Sequence, residues 1–155
     1  MYKLLVLLLF ISQIGFSQNS KDTFYIENKP VSKGYILKYK EGRFGVTDPS
    51  RFIIINSLKK EVFAINPGIV KTTFSIDSDS FIGVESEDTF ILYGKIKSMK
   101  KKGDSVLSGE KIGDLYENEN NCYKLVLSIT ILKELSAMNY LEIFNFLVGR
   151  FGSQN

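Results

Sequence analysis

Short runs of β-branched and aromatic residues, each ended by turn-forming residues, constrain the fold of this chain more than any other feature. Runs of this kind occupy residues 34–42, 51–56, 61–66, 68–76, 81–86, 89–94, 111–116 and 123–132. Their composition is typical of β-strands, and the Gly, Pro, Asn and Asp residues between them favour tight turns. Many short strands at such close spacing predict an all-β sandwich or barrel of antiparallel strands.

Only the C-terminal segment changes from this pattern to a helical one. Apolar residues recur there at helical spacing, namely Met138, Leu141, Phe144, Val148 and Phe151. This spacing predicts one short helix that packs on the sheet. Asn139, followed three residues later by Glu142, has the pattern of a capping box at the helix start, and Gly149 is expected to end the helix.

The first residues have the pattern of a secretory signal peptide. Lys3 precedes an apolar run at 4–11, and Gly15 and Ser17 put small residues where a cleavage site needs them. The run is shorter than the roughly 20 apolar residues of a membrane-spanning helix, although a retained anchor is the alternative. We therefore expect a signal peptide at 1–17 and a secreted or periplasmic protein with no stable membrane span after cleavage.

The rest of the chain is expected to form an N-terminal extension at 18–33 and a single domain at 34–151. The formal net charge of the sequence is only +3, which lacks the strong basic clustering of nucleic-acid binding, so no nucleic-acid partner is expected. Cys122 is the only cysteine in the sequence. An internal disulfide is therefore excluded, and the domain must rely on its apolar core.

The sequence contains no histidine. This absence excludes Ser-His-Asp and Cys-His catalysis and every zinc site that uses imidazole ligands. Any chemistry at neutral pH would have to proceed without the commonest acid–base group and metal ligand in proteins.

Four segments, in this order, resemble one known family. They are GRFGV at 42–46, NPGIV at 66–70, YGKIKSMKKKGDSVLSGEKIGD at 93–114 and YKLVLSI at 123–129. Together they resemble the core domain of the lysostaphin/LytM-type zinc endopeptidases, which cut peptide cross-links in bacterial peptidoglycan. The segment at 93–114 is the most specific, because the family has Tyr-Gly-His, a short strand and Gly-Asp-x-Val-x-x-Gly-x-x-Ile-Gly there. The residues that fit are Tyr93, Gly94, Gly103, Asp104, Val106, Gly109, Ile112 and Gly113.

The resemblance implies a LytM-like core of two antiparallel sheets with a groove that has zinc at its floor, and this chain departs from the family at each zinc-site position. Where the family has its first His and Asp ligands, in His-x-Gly-x-Asp, this chain has Arg43 and Thr47. Lys95 replaces the His of Tyr-Gly-His. The family's His-x-His strand matches Lys124 and Val126.

These substitutions remove the metal chemistry that the resemblance would otherwise imply. A guanidinium or a protonated ammonium has no free lone pair, and a Val side chain has no donor atom. A one-residue shift of the first motif would place Phe44 and Asp48 at its ligand positions, but one carboxylate cannot hold zinc. We therefore expect no metal, no cofactor and no zinc-water hydrolysis.

The resemblance and the substitutions together favour a non-catalytic binding protein. Two versions remain open: binding of a cell-wall hydrolase or envelope protein through the former active-site groove, or binding of peptidoglycan itself. The alternative function is a cell-wall hydrolase with a zinc-independent, histidine-free mechanism.

Three of the substituted positions became basic, which suggests a more specific hypothesis. If the family fold holds, Arg43, Lys95 and Lys124 converge where zinc would lie and could accept a carboxylate through charge-assisted hydrogen bonds. The alternative is that these side chains, like the other lysines of 93–114, simply face solvent at a protected sheet edge.

Two further patterns have ordinary explanations. Ser-x-x-Lys occurs at 57–60 and 98–101, but acyl enzymes place this motif on a helix in a much larger α/β protein. The acidic residues between 77 and 88 lack the central glycine of an EF-hand loop and are expected in solvated turns.

Overall fold

The computed structural model describes residues 22–38, 51–117 and 122–153. The predicted signal peptide lies outside the described residues, as does the segment at 39–50. The strands are β1 Asp22–Glu27, β2 Lys33–Lys38, β3 Ile53–Ser57, β4 Glu61–Phe63, β5 Gly68–Ile76, β6 Asp79–Glu85, β7 Thr89–Gly94, β8 Ile96–Ser98, β9 Ser105–Val106, β10 Lys111–Leu115, β11 Tyr123–Ile131, β12 Ser136–Ala137 and β13 Gly152–Ser153. The helix α1 spans Tyr140–Phe151.

Two antiparallel sheets form this part of the chain. The larger has ten strands in the order β13-β1-β2-β3-β11-β7-β6-β5-β9, with β12 pairing β11, and the smaller has the order β4-β10-β8. The prediction of an all-β, two-sheet core with one C-terminal helix is therefore confirmed.

The predicted runs match the observed strands closely where turn residues flank them. The strands β5 and β7 begin and end where the sequence predicts, at 68–76 and 89–94. The strand β1 and the two-residue strands β9, β12 and β13 lie outside the predicted runs. The strand β1, from the segment separated above as an N-terminal extension, pairs with β2 along its full length, so residues 22–27 are part of the large sheet.

The core lies between the two sheets. Alternate residues of each strand point to opposite faces, so each sheet directs one set of its side chains into this core. The side of the large sheet that faces the small one, which we name the core face, carries side chains such as Ile53, Leu127 and Tyr93. From the small sheet, Ile96 and Ile112 are fully buried in the same core. Burying one such aliphatic side chain contributes about 1.5–3 kcal/mol.

The helix α1 packs on the core face near β1. Its buried residues are Ile143, Phe144 and Leu147, and the Phe144 ring meets Phe24 of β1 edge-to-face at 4.8 Å between centroids. The predicted capping box is present: the Asn139 side chain accepts from the Glu142 N–H at 3.0 Å, and the Glu142 carboxylate accepts from the Asn139 N–H at 2.7 Å.

The predicted end of the helix was three residues too early. The helix continues through Gly149, at which an added Cβ would meet no atom within 4 Å. It ends where the N–H of Gly152 donates to the Val148 carbonyl. A glycine on an exposed helix face weakens a helix without ending it. Among the described residues, no helix is both long and apolar enough to cross a membrane.

Two of the four glycines in the segment at 93–114 occupy turns, whereas Gly94 and Gly113 lie in β7 and β10. Gly103 and Gly109 have φ of +96° and +80°, a region that L-residues with a Cβ seldom occupy. Lys95 also has positive φ, +63°, at the point where the chain leaves the large sheet for β8. In β8, Ile96 is buried, whereas Lys97 is exposed, which is the alternation of a strand with one face in the core.

Candidate functional site

A groove lies on the side of the large sheet opposite the core face, which we name the open face. The groove has a volume of about 260 Å³, and its lining residues are Arg51, Phe52, Phe81, Leu92, Gly94, Val126 and Ser128. We call these residues the groove. They come from β6, β7, β11 and the chain entering β3, which are neighbours in the sheet.

Strand register brings the floor of the groove together. Val126 of β11 lies opposite Ile54 of β3 on one side and opposite Gly94 of β7 on the other. Gly94 in turn lies opposite Phe81 of β6. Because directly opposite residues point to the same face, these four form one row across four strands. In the neighbouring row, Ser128 lies opposite Leu92.

The absence of a side chain at Gly94 gives the groove its shape. A Cβ at this position would lie 2.7 Å from a ring carbon of Phe81 and 3.3 Å from the Cβ of Val126. The Phe81 ring therefore lies over the Gly94 backbone. It also stacks on Phe74 of β5, with ring centroids 5.0 Å apart and an interplanar angle of 9°. Aromatic rings thus form one wall of the groove.

The structure places the predicted site residues at different distances from this groove. Val126 is in the floor. Lys124 is two residues earlier on β11, opposite Asn56, and so points to the open face in the next row. Lys95 is not a lining residue, and its ammonium lies 3.4 Å from the Asp79 carboxylate.

Four of the positions considered from the sequence, Arg43, Phe44, Thr47 and Asp48, lie outside the described residues. The convergence of three cations therefore stays a hypothesis. In the described part of the chain, Lys95 already has an acidic neighbour, and Lys124 is an exposed basic residue on the groove side of the sheet.

The lining of the groove is chemically simple. Its apolar members, Phe52, Phe81, Leu92 and Val126, outnumber its polar ones. The Arg51 guanidinium is engaged with the protein itself, since its Nη1 donates to the Ala137 carbonyl at 2.8 Å. In the described ranges, no group of three or more Cys, Asp or Glu side chains is arranged to hold a metal ion.

A phenol lies directly behind the groove, on the core face. Tyr93 is fully buried, and its hydroxyl oxygen accepts a hydrogen bond from the Ile65 N–H at 2.9 Å. Burial raises the pKa of Tyr93 far above its ordinary value of 10.0, because the phenolate would lose its hydration. Tyr93 points away from the groove, and its hydroxyl links β7 to Ile65, which lies two residues after β4 of the small sheet.

Neither Ser-x-x-Lys sequence forms a reactive pair. The hydroxyls of Ser57 and Ser98 each donate to the backbone carbonyl two residues further along the chain, at 2.5 and 2.6 Å. This is the local turn geometry that Ser commonly adopts. The Lys60 ammonium lies 3.7 Å from the Asp114 carboxylate instead.

Sequence reasoning missed most of the lining residues. Leu92 and Ser128 lie two residues from Gly94 and Val126 on the same strands, so strand alternation offered a signal for them. No such signal exists for Phe81, because its position over Gly94 depends on the pairing of β6 with β7.

Comparisons with known proteins give partial structural likenesses. No family model matches this chain, and no curated protein matches it. Solved structures similar to it include CbpA from L. salivarius REN, at 16% identity over 58% of this chain and 67% of that chain, with a TM-score of 0.44. Another is a mutant catalytic domain of the prophage-encoded M23 protein EnpA from Enterococcus faecalis, at 17% identity over 65% of this chain and 83% of that chain, with a TM-score of 0.47.

Proposed function

We propose that this protein is a secreted, non-catalytic relative of the lysostaphin/LytM-type peptidases that binds an envelope protein or a cell-wall hydrolase through the groove. The order of the four sequence segments supports the relationship, above all the residues of 93–114. The predicted signal peptide supports the location outside the cytoplasm.

The observation that carries the proposal is the apolar floor of the groove. Val126, at a position where the resemblance implies a histidine ligand, is surrounded by Leu92, Gly94 and Phe81. None of these side chains can bind a metal, activate a water molecule or exchange a proton. Apolar side chains at the floor of a groove instead favour binding through burial of apolar surface.

The groove continues into a larger apolar surface, which favours a protein partner over peptidoglycan. On the same face, Phe52, Ile54 and Phe74 are 46%, 43% and 38% exposed. Exposed apolar side chains that adjoin one another are typical of protein-binding surfaces. Peptidoglycan, with its many hydroxyl and amide groups, would need more hydrogen-bonding side chains than this lining offers.

The helix leaves the groove accessible. Since α1 packs on the core face, it lies on the side of the sheet opposite the groove, and no helix residue lines it. This arrangement supports a groove that a partner can enter.

Co-sedimentation with isolated peptidoglycan, followed by pull-down from an envelope extract, tests the proposal. The purified mature protein should stay in the supernatant, release no muropeptides and capture a discrete envelope protein. Val126→Asp, which puts a charge in the groove floor, should abolish that capture. Leu107→Asp is the matched control, because Leu107 is 72% exposed in a turn away from the groove.

Each other outcome has a definite meaning. Protein in the pellet without released fragments would identify the peptidoglycan-binding version. Released fragments that are absent from a buffer control would establish the histidine-free hydrolase and overturn the proposal. Equal capture by wild type and Val126→Asp, with both folded by circular dichroism, would exclude the groove as the binding site.

The basic substitutions give the proposal an electrostatic component. If Arg43, Lys95 and Lys124 act together, the partner presents a carboxylate, and replacing all three by Ala should weaken capture and remove its salt dependence. Retention of full affinity by the triple variant would show that these side chains only face solvent.

A further inference from the structure

The outer edge of β5 is unpaired over half its length. The strand β9 pairs only with Gly68 and Ile69 of β5. Among the described residues, no strand covers the edge at 72–76, which we name the β5 edge. Its sequence, TTFSI, has no charge and no proline, and it has no bulge between Thr72 and Ile76. Charges, prolines and bulges are the features by which proteins commonly block pairing at exposed edges, and residues 72–76 lack all three.

The hairpin geometry determines which backbone groups this edge presents. The loop between β5 and β6 is two residues long, with Ile76 opposite Asp79. The pair that closes a two-residue hairpin is hydrogen-bonded, and hydrogen-bonded and non-hydrogen-bonded pairs alternate along an antiparallel ladder. The N–H and C=O groups of Phe74 therefore point inward to β6, whereas those of Thr73 and Ser75 point outward.

A second β5 edge, related by a twofold axis at Phe74, satisfies these outward groups. In that register Thr73 of one copy lies opposite Ser75 of the other, and each such pair exchanges two N–H···O bonds. Phe74 lies opposite its own copy as a non-hydrogen-bonded pair. The alternation required by an antiparallel ladder is thus met on both sides of the axis.

The same register is complementary in charge. At each end of the paired segment, Lys71 of one copy and Asp77 of the other are the residues that follow the Thr72–Ile76 pair, and the twofold axis repeats this arrangement. Lys71 occupies the bulge between Val70 and Thr72, and its ammonium lies 2.9 Å from Glu85 of its own chain. No like charges face one another along the edge, whereas opposite charges close both of its ends.

The side chains of the edge add apolar contact on the open face. Ile76 is 57% exposed and Phe74 is 38% exposed, and both point to the same face as Phe81. In the twofold register Ile76 lies opposite Thr72, and the two Phe74 rings extend the Phe74–Phe81 stack across the axis. Cross-strand aromatic pairs of this kind stabilise sheets.

We propose that the β5 edge is a self-association surface: two copies of this chain pair antiparallel about Phe74 and continue the large sheet across the dimer. The proposal is independent of what the groove binds. It commits to a second copy because both the hydrogen-bonding groups and the charges of this edge are complementary to themselves.

Disulfide trapping tests the register directly. In a Cys122→Ser background, Phe74→Cys should form an intermolecular disulfide on mild oxidation. Cα atoms in a non-hydrogen-bonded pair are about 4.5 Å apart, within the range of a disulfide. Ile76→Cys is the matched control: it lies four residues from its own copy along the ladder, roughly 13 Å, and should not form one.

Sedimentation of the otherwise unaltered chain gives an independent measurement. Ser75→Pro removes an outward N–H while sparing the ladder to β6, and Ser75→Ala loses the same hydroxyl but keeps that N–H. We expect a concentration-dependent dimer for wild type and Ser75→Ala. The dissociation constant of Ser75→Pro should be more than about tenfold higher, because the change removes two intermolecular hydrogen bonds.

Three outcomes would overturn the proposal. A wild-type protein that sediments as a monomer at every concentration would show that the edge does not self-associate. A dimer that Ser75→Pro leaves intact, with the variant folded by circular dichroism, would use another surface. Equal crosslinking through Phe74→Cys and Ile76→Cys would exclude the register.

Discussion

The buried hydroxyl of Tyr93 provides the most quantitative test of how the two sheets are held together. It accepts a hydrogen bond from the Ile65 N–H at 2.9 Å inside the core. Tyr93→Phe removes this acceptor and leaves a buried N–H without its partner. An unsatisfied buried donor costs about 1–3 kcal/mol. We therefore expect the free energy of unfolding to fall by about 2 kcal/mol, and the Tm to fall by about 6 °C for a domain of this size.

The same hydroxyl should make stability depend on alkaline pH. Because burial raises the pKa of Tyr93 above its ordinary value of 10.0, the folded state keeps the proton when the unfolded state begins to lose it. The contribution of the protonated phenol is fully present below pH 10 and is lost as pH rises beyond it. In the pH range where only the unfolded state is ionised, the free energy of unfolding falls by about 1.4 kcal/mol per pH unit.

Urea unfolding of wild type and Tyr93→Phe, at neutral pH and on either side of pH 10, measures both effects. The difference between the two proteins should be largest near neutral pH and should shrink by about 1 kcal/mol between about pH 10 and 11. Tyr25→Phe is the control at neutral pH, since Tyr25 is 37% exposed, and it should leave the free energy of unfolding nearly unchanged. Equal stability of wild type and Tyr93→Phe, or a difference that does not vary with pH, would refute this account of Tyr93.

Three further predictions concern the helix and the small sheet. Asn139→Ala should lower the free energy of unfolding by about 1 kcal/mol, because it removes the capping bond to the Glu142 N–H; unchanged urea unfolding would contradict the capping role. Gly113→Ala should destabilise by about 1–3 kcal/mol, since the added Cβ would lie 2.4 Å from the Lys97 carbonyl oxygen. By contrast, Gly149→Ala should stabilise by about 0.5–1 kcal/mol, because its Cβ would meet nothing. A lower Tm for Gly149→Ala than for Gly113→Ala would show that the space around these glycines does not control stability.

Much of the fold could be predicted because its signals are local. Strand composition and turn residues placed β5 and β7 at their observed bounds. The capping pair of Asn139 and Glu142 identified the start of α1. Strands of two residues, such as β12 and β13, carry no such signal, since pairing with a distant strand is all that makes them strands.

The candidate site was only partly predictable. The resemblance drew attention to Val126, which lies in the groove, and to Lys95, which instead lies beside Asp79. The backbone of Lys95 is left-handed, with φ of +63°, so the chain changes direction directly after Gly94. A one-dimensional motif match does not include this change of direction.

The sequence alone determined what chemistry is available to this protein, whereas the tertiary structure decided where it can bind. Composition excludes every mechanism that needs a histidine, and this conclusion does not depend on how the chain folds. The aromatic wall of the groove and the self-complementary β5 edge both depend on strand register. The register pairs Phe81 with Gly94, and it leaves the backbone N–H and C=O groups of Thr73 and Ser75 pointing outward. A shift of one residue would turn these side chains to the opposite face, so only strand pairing across the sheet could create both surfaces.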